Sequence, residues 1–238
     1  MTSTGSSRSL RALIVQHEQP TPGGYVHQWL EERDAEQDVY RIDIENRQVD
    51  PRDYDLIVSL GSEFAAFDDS VPWLEREREL LREAAHGDVP VLGICFGGQL
   101  LARVLGGKSF RSEIAEIGWL PVRSKEQGIV SDGPWFQWHF DTFTVPPGAK
   151  LIADSAAGPQ AYAVGRSLGV QFHPEVTPEI MDAWVLAYRH ELDQEGVDPD
   201  RLLAETYQRA ADTRAAAWRL FDGFLARARG VKEAVRGR

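Results

Sequence analysis

The stretch Val89–Gln99, VPVLGICFGGQ, decides the reading of this 238-residue chain. Val89–Cys95 is a short apolar run with β-branched residues and reads as a buried strand, and Gln99–Leu105 reads as the helix after it. Cys95 therefore stands on a tight strand-to-helix turn, with glycines at 93, 97 and 98 where side chains would clash. Such a turn lifts a nucleophile clear of its sheet and points the next helix's N-terminus at it. The helix dipole favours thiolate, the reactive form, over thiol. The Phe96 N–H is placed to donate to a substrate oxyanion. A lone cysteine in a strand is ordinarily just a buried small residue; the flanking glycines, the turn and the partners downstream argue for a nucleophile.

Upstream, Leu10–Gln16 and Asp55–Leu60 read as buried strands, Asp38–Ile44 as an alternating one and Val26–Asp34 as a helix. Pro72 opens a helix running to about His86, since a proline in the first turn gives up an N–H that has no helical partner. Its run Glu75, Arg76, Glu77, Arg78, Glu79 reads as a solvated face. Downstream of Phe110 the pattern changes to short strand-like pieces (Gly118–Val122, Phe140–Val145, Gln160–Val164 and Leu168–Phe172) separated by glycine and proline turns. Pro178–Leu192 and Arg201–Arg227 read as helices. In the second, Leu203, Tyr207, Ala210, Ala211, Trp218, Phe221 and Leu225 form an apolar stripe.

This order predicts an α/β fold: a mostly parallel central sheet flanked by helices, a small antiparallel extension and C-terminal helices. The expected organisation is a leader over 1–9, a domain over 10–194, and a helical extension packed on it over 195–238. Functional groups in such sheets gather at the carboxyl ends of strands. Gly61, Cys95 and His173 each follow a predicted strand, so the three are expected to meet at one sheet edge.

The second chemical element is Gln171-Phe172-His173-Pro174-Glu175. A nucleophilic thiol needs a base within reach and a third group that orients the base's imidazole. His173 follows a strand, Glu175 lies two residues on, and Pro174 stiffens the link. Alone, His-Pro-Glu is most often an ordinary turn; together with the Cys95 turn it is specific.

With these motifs in hand the chain resembles the class I (triad) glutamine amidotransferases, especially stand-alone relatives of the GMP synthase glutaminase domain. The G-x-C-x-G-x-Q turn falls on Gly93, Cys95, Gly97 and Gln99, and HPE on His173, Pro174 and Glu175. Trp138-His139-Phe140-Asp141 resembles the H-x-D stretch lining the glutamine site. The resemblance spans about Leu10 to Ala187 and implies a flavodoxin-like amidotransferase architecture. It also implies a mechanism: Cys95 thiolate attacks the glutamine side-chain amide, His173 protonates the departing ammonia, Glu175 orients the ring, and water releases glutamate from a γ-glutamyl thioester. Gly61, Ser62 and Phe96 are expected to supply the oxyanion hole, and Gln99, Trp138 and His139 to shape the substrate pocket. The family's S-G-G-P-type loop is replaced here by Ser59-Leu60-Gly61-Ser62-Glu63, and Gly61 reads equally well as a strand end.

A formal net charge of −11 repels nucleic-acid phosphates and anionic lipids, so neither is an expected partner. The basic residues Arg227, Arg229, Lys232, Arg236 and Arg238 read as a solvated, fraying tail. One cysteine excludes an intramolecular disulfide, and the polar Met1–Ser9 is unlike a signal peptide. A cytoplasmic location is expected. No metal or organic cofactor is implied, and His17, His27 and His86 have no metal-ligand company.

The expected substrate is glutamine or another γ-glutamyl amide, with a separate synthetase or acceptor protein as possible partner. A γ-glutamyl peptide hydrolase is the rival reading, to be decided by the shape of Gly61–Trp73 and Ser124–Gln137. A non-catalytic binding module should have lost a triad member, and all three are present. The related cysteine-dependent isomerases and deglycases place a His after the nucleophile, where this chain has Phe96.

Overall fold

The computed structural model describes residues 9–236, with side chains described through residue 230. In chain order the elements are β1 (Arg11–Gln16), α1 (Tyr25–Glu31), β2 (Glu36–Arg41), β3 (Leu56–Ser59), α2 (Leu74–His86), β4 (Val91–Ile94) and α3 (Phe96–Val104). There follow β5 (Ser109–Leu120), β6 (Arg123–Ser124), β7 (Trp135–Phe143), β8 (Lys150–Ser155), β9 (Gly158–Val164) and β10 (Ser167–Val170). Three helices close the chain: α4 (Pro178–Ala187), α5 (Arg189–Glu195) and α6 (Pro199–Arg236).

The strands form an eight-stranded sheet in the order β2-β1-β3-β4-β10-β9-β8-β6 and a separate β5–β7 pair. The pairings β1–β2, β1–β3, β3–β4 and β4–β10 are parallel, whereas β9, β8 and β6 extend the sheet antiparallel. The apolar runs explain this arrangement. β3, β4 and β10 are buried along their whole length, as strands covered on both faces must be. One apolar cluster joins Ile14, Val58, Ile94 and Val170 to Phe221 and Phe224 of α6. A second, holding Leu13, Ile57 and Val91, joins residues of α2 and α3, among them Leu81 and Leu101.

Several local expectations are corrected. Helix α2 starts at Leu74 behind Trp73, so Pro72 precedes the helix instead of opening it. Glu77 does not lie on a solvated face: it is fully buried, while Glu75 and Glu79 stay exposed. The segment after Phe110 holds more sheet than its short apolar pieces suggested. β5 runs 12 residues, much of it exposed, and β8 has only two fully buried positions, so neither carries a strong alternation. Pro178–Leu192 divides at Tyr188 into two helices.

In α6 the buried line is Leu202, Thr206, Thr213, Ala217, Leu220, Phe221, Phe224 and Ala228, whereas Tyr207 is 54% exposed. Threonines fill positions that a hydropathy reading gives to water. Thr206 Oγ1 donates to the Leu202 carbonyl (2.8 Å) and accepts from Trp119 Nε1 (3.0 Å), so its hydroxyl is satisfied inside. Arg227 and Arg229 are helical residues of α6, not part of a frayed tail, and Arg227 donates to the Gly165 carbonyl. Of the expected leader only Ser9 lies among the described residues, and Arg238 lies outside them. No helix among the described residues is long and apolar enough to cross a membrane.

Candidate active site

The carboxyl ends of three adjacent parallel strands build the site. β3 delivers Gly61, β4 delivers Cys95 and β10 delivers His173, so the expected meeting at one sheet edge is what the strand order produces. Cys95 sits between β4 and α3 with φ +50°, a conformation that a non-glycine residue adopts only when its surroundings hold it. They do: its N–H donates to the Val170 carbonyl (2.8 Å) and its own carbonyl accepts from the Gln99 N–H (2.9 Å). The thiol is buried, and Gln171 Nε2 approaches the sulfur at 3.6 Å.

His173 Nδ1 bonds Glu175 Oε1 at 2.7 Å with both side chains buried, so the carboxylate holds this nitrogen protonated and fixes the ring plane. The other nitrogen, Nε2, is buried and has no hydrogen-bond partner among the described residues. Trp184 packs edge-on against the imidazole with centroids 4.9 Å apart. Burial pulls the His173 pKa down, but the Glu175 carboxylate and the neighbouring Cys95 sulfur outweigh it and hold it at about 10. A pKa of about 10 keeps the ring protonated at neutral pH.

A Cβ built on Gly61 would lie 3.0 Å from His173 Cε1 and 3.8 Å from Cys95 Cβ, which locates the Gly61 backbone directly against both groups. Leu60 is pinned on either side: its N–H donates to the Val15 carbonyl (3.1 Å) and its carbonyl accepts from the Gly97 N–H (3.1 Å). Among the described residues the N–H groups of Gly61, Ser62 and Phe96 donate to no protein acceptor. Three unpaired amides beside a nucleophile form an arrangement suited to developing negative charge.

The pocket over these groups has a volume of about 100 Å³. Every residue expected at the site lines it except Glu175, which stands behind His173. Gln99 is turned inward, donating to the Asp141 carbonyl (3.2 Å) and to Gln171 Oε1 (3.3 Å). His139 is held between the Asp141 carbonyl (3.1 Å) and Glu116 (3.1 Å), and Trp138 donates to Glu191 (2.7 Å).

Sequence reasoning missed Arg111, Trp184, Tyr188 and Glu191, which come from the bulged β5 and from the helical region after β10. It also gave Ser124–Gln137 a part in shaping the pocket, and no residue of that segment lines it. The polar wall is mixed: Arg111 faces the pocket together with Glu63, Asp141 and Glu191. Burial raises the Asp141 pKa, with Arg111 at 3.5 Å opposing the shift.

The family model described as glutamine amidotransferase class-I matches residues 24–190. The GMP synthase (glutamine-hydrolysing) of Aeropyrum pernix is 39% identical over 127 residues, covering 48% of this chain and 25% of that protein. The corresponding protein of Agathobacter rectalis is 31% identical over 170 residues, 65% of this chain and 31% of its own length. The aligned part is thus about a quarter to a third of these relatives' length. Among solved structures, a glutamine amidotransferase from Thermotoga maritima superposes with a TM-score of 0.85 at 29% identity, covering 92% of this chain and 99% of that one. One from Methylobacillus flagellatus gives 0.84 at 27% identity, covering 92% and 95%.

Proposed function

The chain belongs to the class I glutamine amidotransferases, and from that premise we propose that it hydrolyses the side-chain amide of glutamine through a Cys95 thioester and delivers the ammonia to an acceptor site outside this chain. The observation that carries the reading is the bonded pair His173–Glu175, whose imidazole lines one pocket with Cys95 and with the unpaired amides of Gly61, Ser62 and Phe96.

The sulfur, as thiolate, attacks the amide carbon, and the carbonyl electrons move to oxygen. N–H groups from Gly61, Ser62 and Phe96 receive that charge. The imidazolium of His173 gives its Nε2 proton to the departing nitrogen, the C–N bond breaks, and a γ-glutamyl thioester and ammonia result. The neutral imidazole then takes a proton from water, which attacks the thioester and frees glutamate. Arg111 suits the substrate's α-carboxylate, and the Glu63 and Glu191 carboxylates suit its α-ammonium group.

The test incubates the purified chain with glutamine and, separately, with γ-glutamyl amides and peptides, following glutamate release. Slow glutamine turnover, traced to Cys95 by labelling with a glutamine-mimicking electrophile, supports ammonia delivery. Rapid cleavage of γ-glutamyl peptides with glutamine ignored replaces this reading with a hydrolase.

The His173 pKa sets a pH dependence. It lies above the ordinary 6.5, at about 10, so the proton donor is present through neutral pH and lost as pH rises through about 10. Turnover should hold from neutral to mildly alkaline pH and fall toward pH 10. The pair's contribution to stability is complete below 6.5 and is lost progressively as pH rises from there through about 10, so the melting temperature should fall across that whole range, before turnover does. A turnover profile that drops between pH 6 and 8 would contradict this assignment.

A further inference from the structure

Behind the Gly61 loop, on the side away from the pocket, lies a buried polar cluster that the proposed mechanism does not use. His17 and Glu77 are both fully buried. His17 Nδ1 lies 2.9 Å from the Gly61 carbonyl oxygen, and Nε2 lies 2.8 Å from Glu77 Oε2. The other Glu77 oxygen accepts from Ser59 Oγ at 2.7 Å. Trp73 stacks on the imidazole (centroids 4.9 Å apart) and Phe96 meets it edge-on (4.7 Å), so the ring has no freedom to turn. His17 does not line the pocket, whereas Gly61, Ser62 and Phe96 do.

A carbonyl oxygen only accepts, so Nδ1 carries a proton and donates it to Gly61. Burial lowers the His17 pKa, but the Glu77 carboxylate outweighs it and the net shift is upward. The chemistry of the neighbours explains what this contact does. Leu60 is fixed by two backbone bonds, but β3 ends at Ser59, and among the described residues no backbone group holds the Gly61 carbonyl. A glycine has no side chain to restrict its torsions. The peptide joining residues 61 and 62 is trans, so its C=O and N–H point in opposite directions. Holding the carbonyl on His17 therefore fixes both the torsion of Gly61 and the direction of the Ser62 N–H.

We infer that His17, braced by Glu77, is a positioning residue that keeps the Ser62 N–H aimed at the substrate oxyanion. It does not line the pocket and acts from outside it, through the Gly61 carbonyl and its edge contact with Phe96. The inference rests on the proposed acyl-transfer function, since an oxyanion hole has a purpose only there.

The test compares the full chain with His17→Phe and with His17→Phe/Glu77→Leu; the double variant leaves no unpaired carboxylate inside. Each is checked for folding by melting temperature, then assayed for kcat and KM with glutamine. Two reagents then report on Cys95. A γ-glutamyl chloromethyl ketone places its oxygen where the oxyanion forms, whereas iodoacetamide alkylates the thiolate by displacement without forming one.

The expected result is a kcat lower by about 10- to 100-fold with KM changed less than about threefold, a fraction of what deleting a hole donor costs. Ketone labelling should slow in proportion and iodoacetamide alkylation should stay near the wild-type rate. Glu77→Gln, which can still hold the ring by donating to Nε2, should recover most of the loss caused by Glu77→Leu.

Unchanged kcat and ketone labelling in the folded double variant would overturn the inference. So would a parallel loss of iodoacetamide reactivity, which would mean that the site had collapsed. Glu77→Gln behaving like Glu77→Leu would overturn it as well. A wild-type chain inert to glutamine and to the ketone would instead refute the proposed function, and so separates that failure from this one.

Discussion

Cys95→Ser should lower glutamine turnover by about 10⁴-fold or more while the chain stays folded. The size of the effect follows from the charge state of the site. His173 is protonated through neutral pH because Glu175 and the Cys95 sulfur outweigh the effect of burial. A serine hydroxyl ionises far less readily than a thiol, and losing the sulfur also removes one of the groups that hold the His173 proton, so the variant lacks the thiolate–imidazolium pair from which attack begins. The two atoms Cβ and Oγ fit where Cβ and Sγ stood, and the backbone bonds that hold residue 95 at φ +50° do not involve its side chain. The melting temperature should therefore move by no more than a few degrees. Turnover by the serine variant within about 100-fold of wild type would mean that another group is the nucleophile.

Gly97→Ala is expected to cost about 3 kcal/mol or more of stability and to abolish activity in whatever fraction folds. A Cβ at this position would stand 2.2 Å from the Ser59 carbonyl oxygen and 2.3 Å from Ser59 Oγ. The first of these is backbone of β3, which is paired with a strand on either side, and cannot swing aside. Helix α3 would have to lift from β3, breaking the Gly97 N–H bond to Leu60 and displacing Cys95 from the His173 edge. The same movement presses on Ser59 Oγ and its bond to Glu77. One methyl group thus disturbs the nucleophile turn and the oxyanion loop together. Urea unfolding measures it, with Gly128→Ala as the control. A Cβ at Gly128 meets nothing within 4 Å, so that variant should lie within about 0.5 kcal/mol of wild type. Equal midpoints for the two variants would mean that α3 does not seat on β3 as closely as described.

The sequence by itself determined the parallel core and picked out the candidate groups that line its edge. Each rests on short-range information: a buried strand is a continuous apolar run, and the Cys95 turn is one strand, one helix and the glycines between them. The order of predicted elements placed Gly61, Cys95 and His173 at strand ends, and the order β3-β4-β10 brings those ends side by side.

The remainder was decided in three dimensions. Glu77 reads as a solvated residue because its neighbours Glu75, Arg76, Arg78 and Glu79 are charged. It is buried because, 60 residues away in sequence, His17 supplies the partner that makes an interior carboxylate tolerable. Thr206 and Thr213 occupy the core line of α6, the former with its hydroxyl bonded within the protein. Arg111 and Glu191 reach the pocket from a bulged strand and a short helix whose sequences show no periodicity that aims them there. Periodicity reports which face of an element is apolar. It does not report which polar side chain will find a buried partner across the fold, because that depends on distances set only when the layers pack.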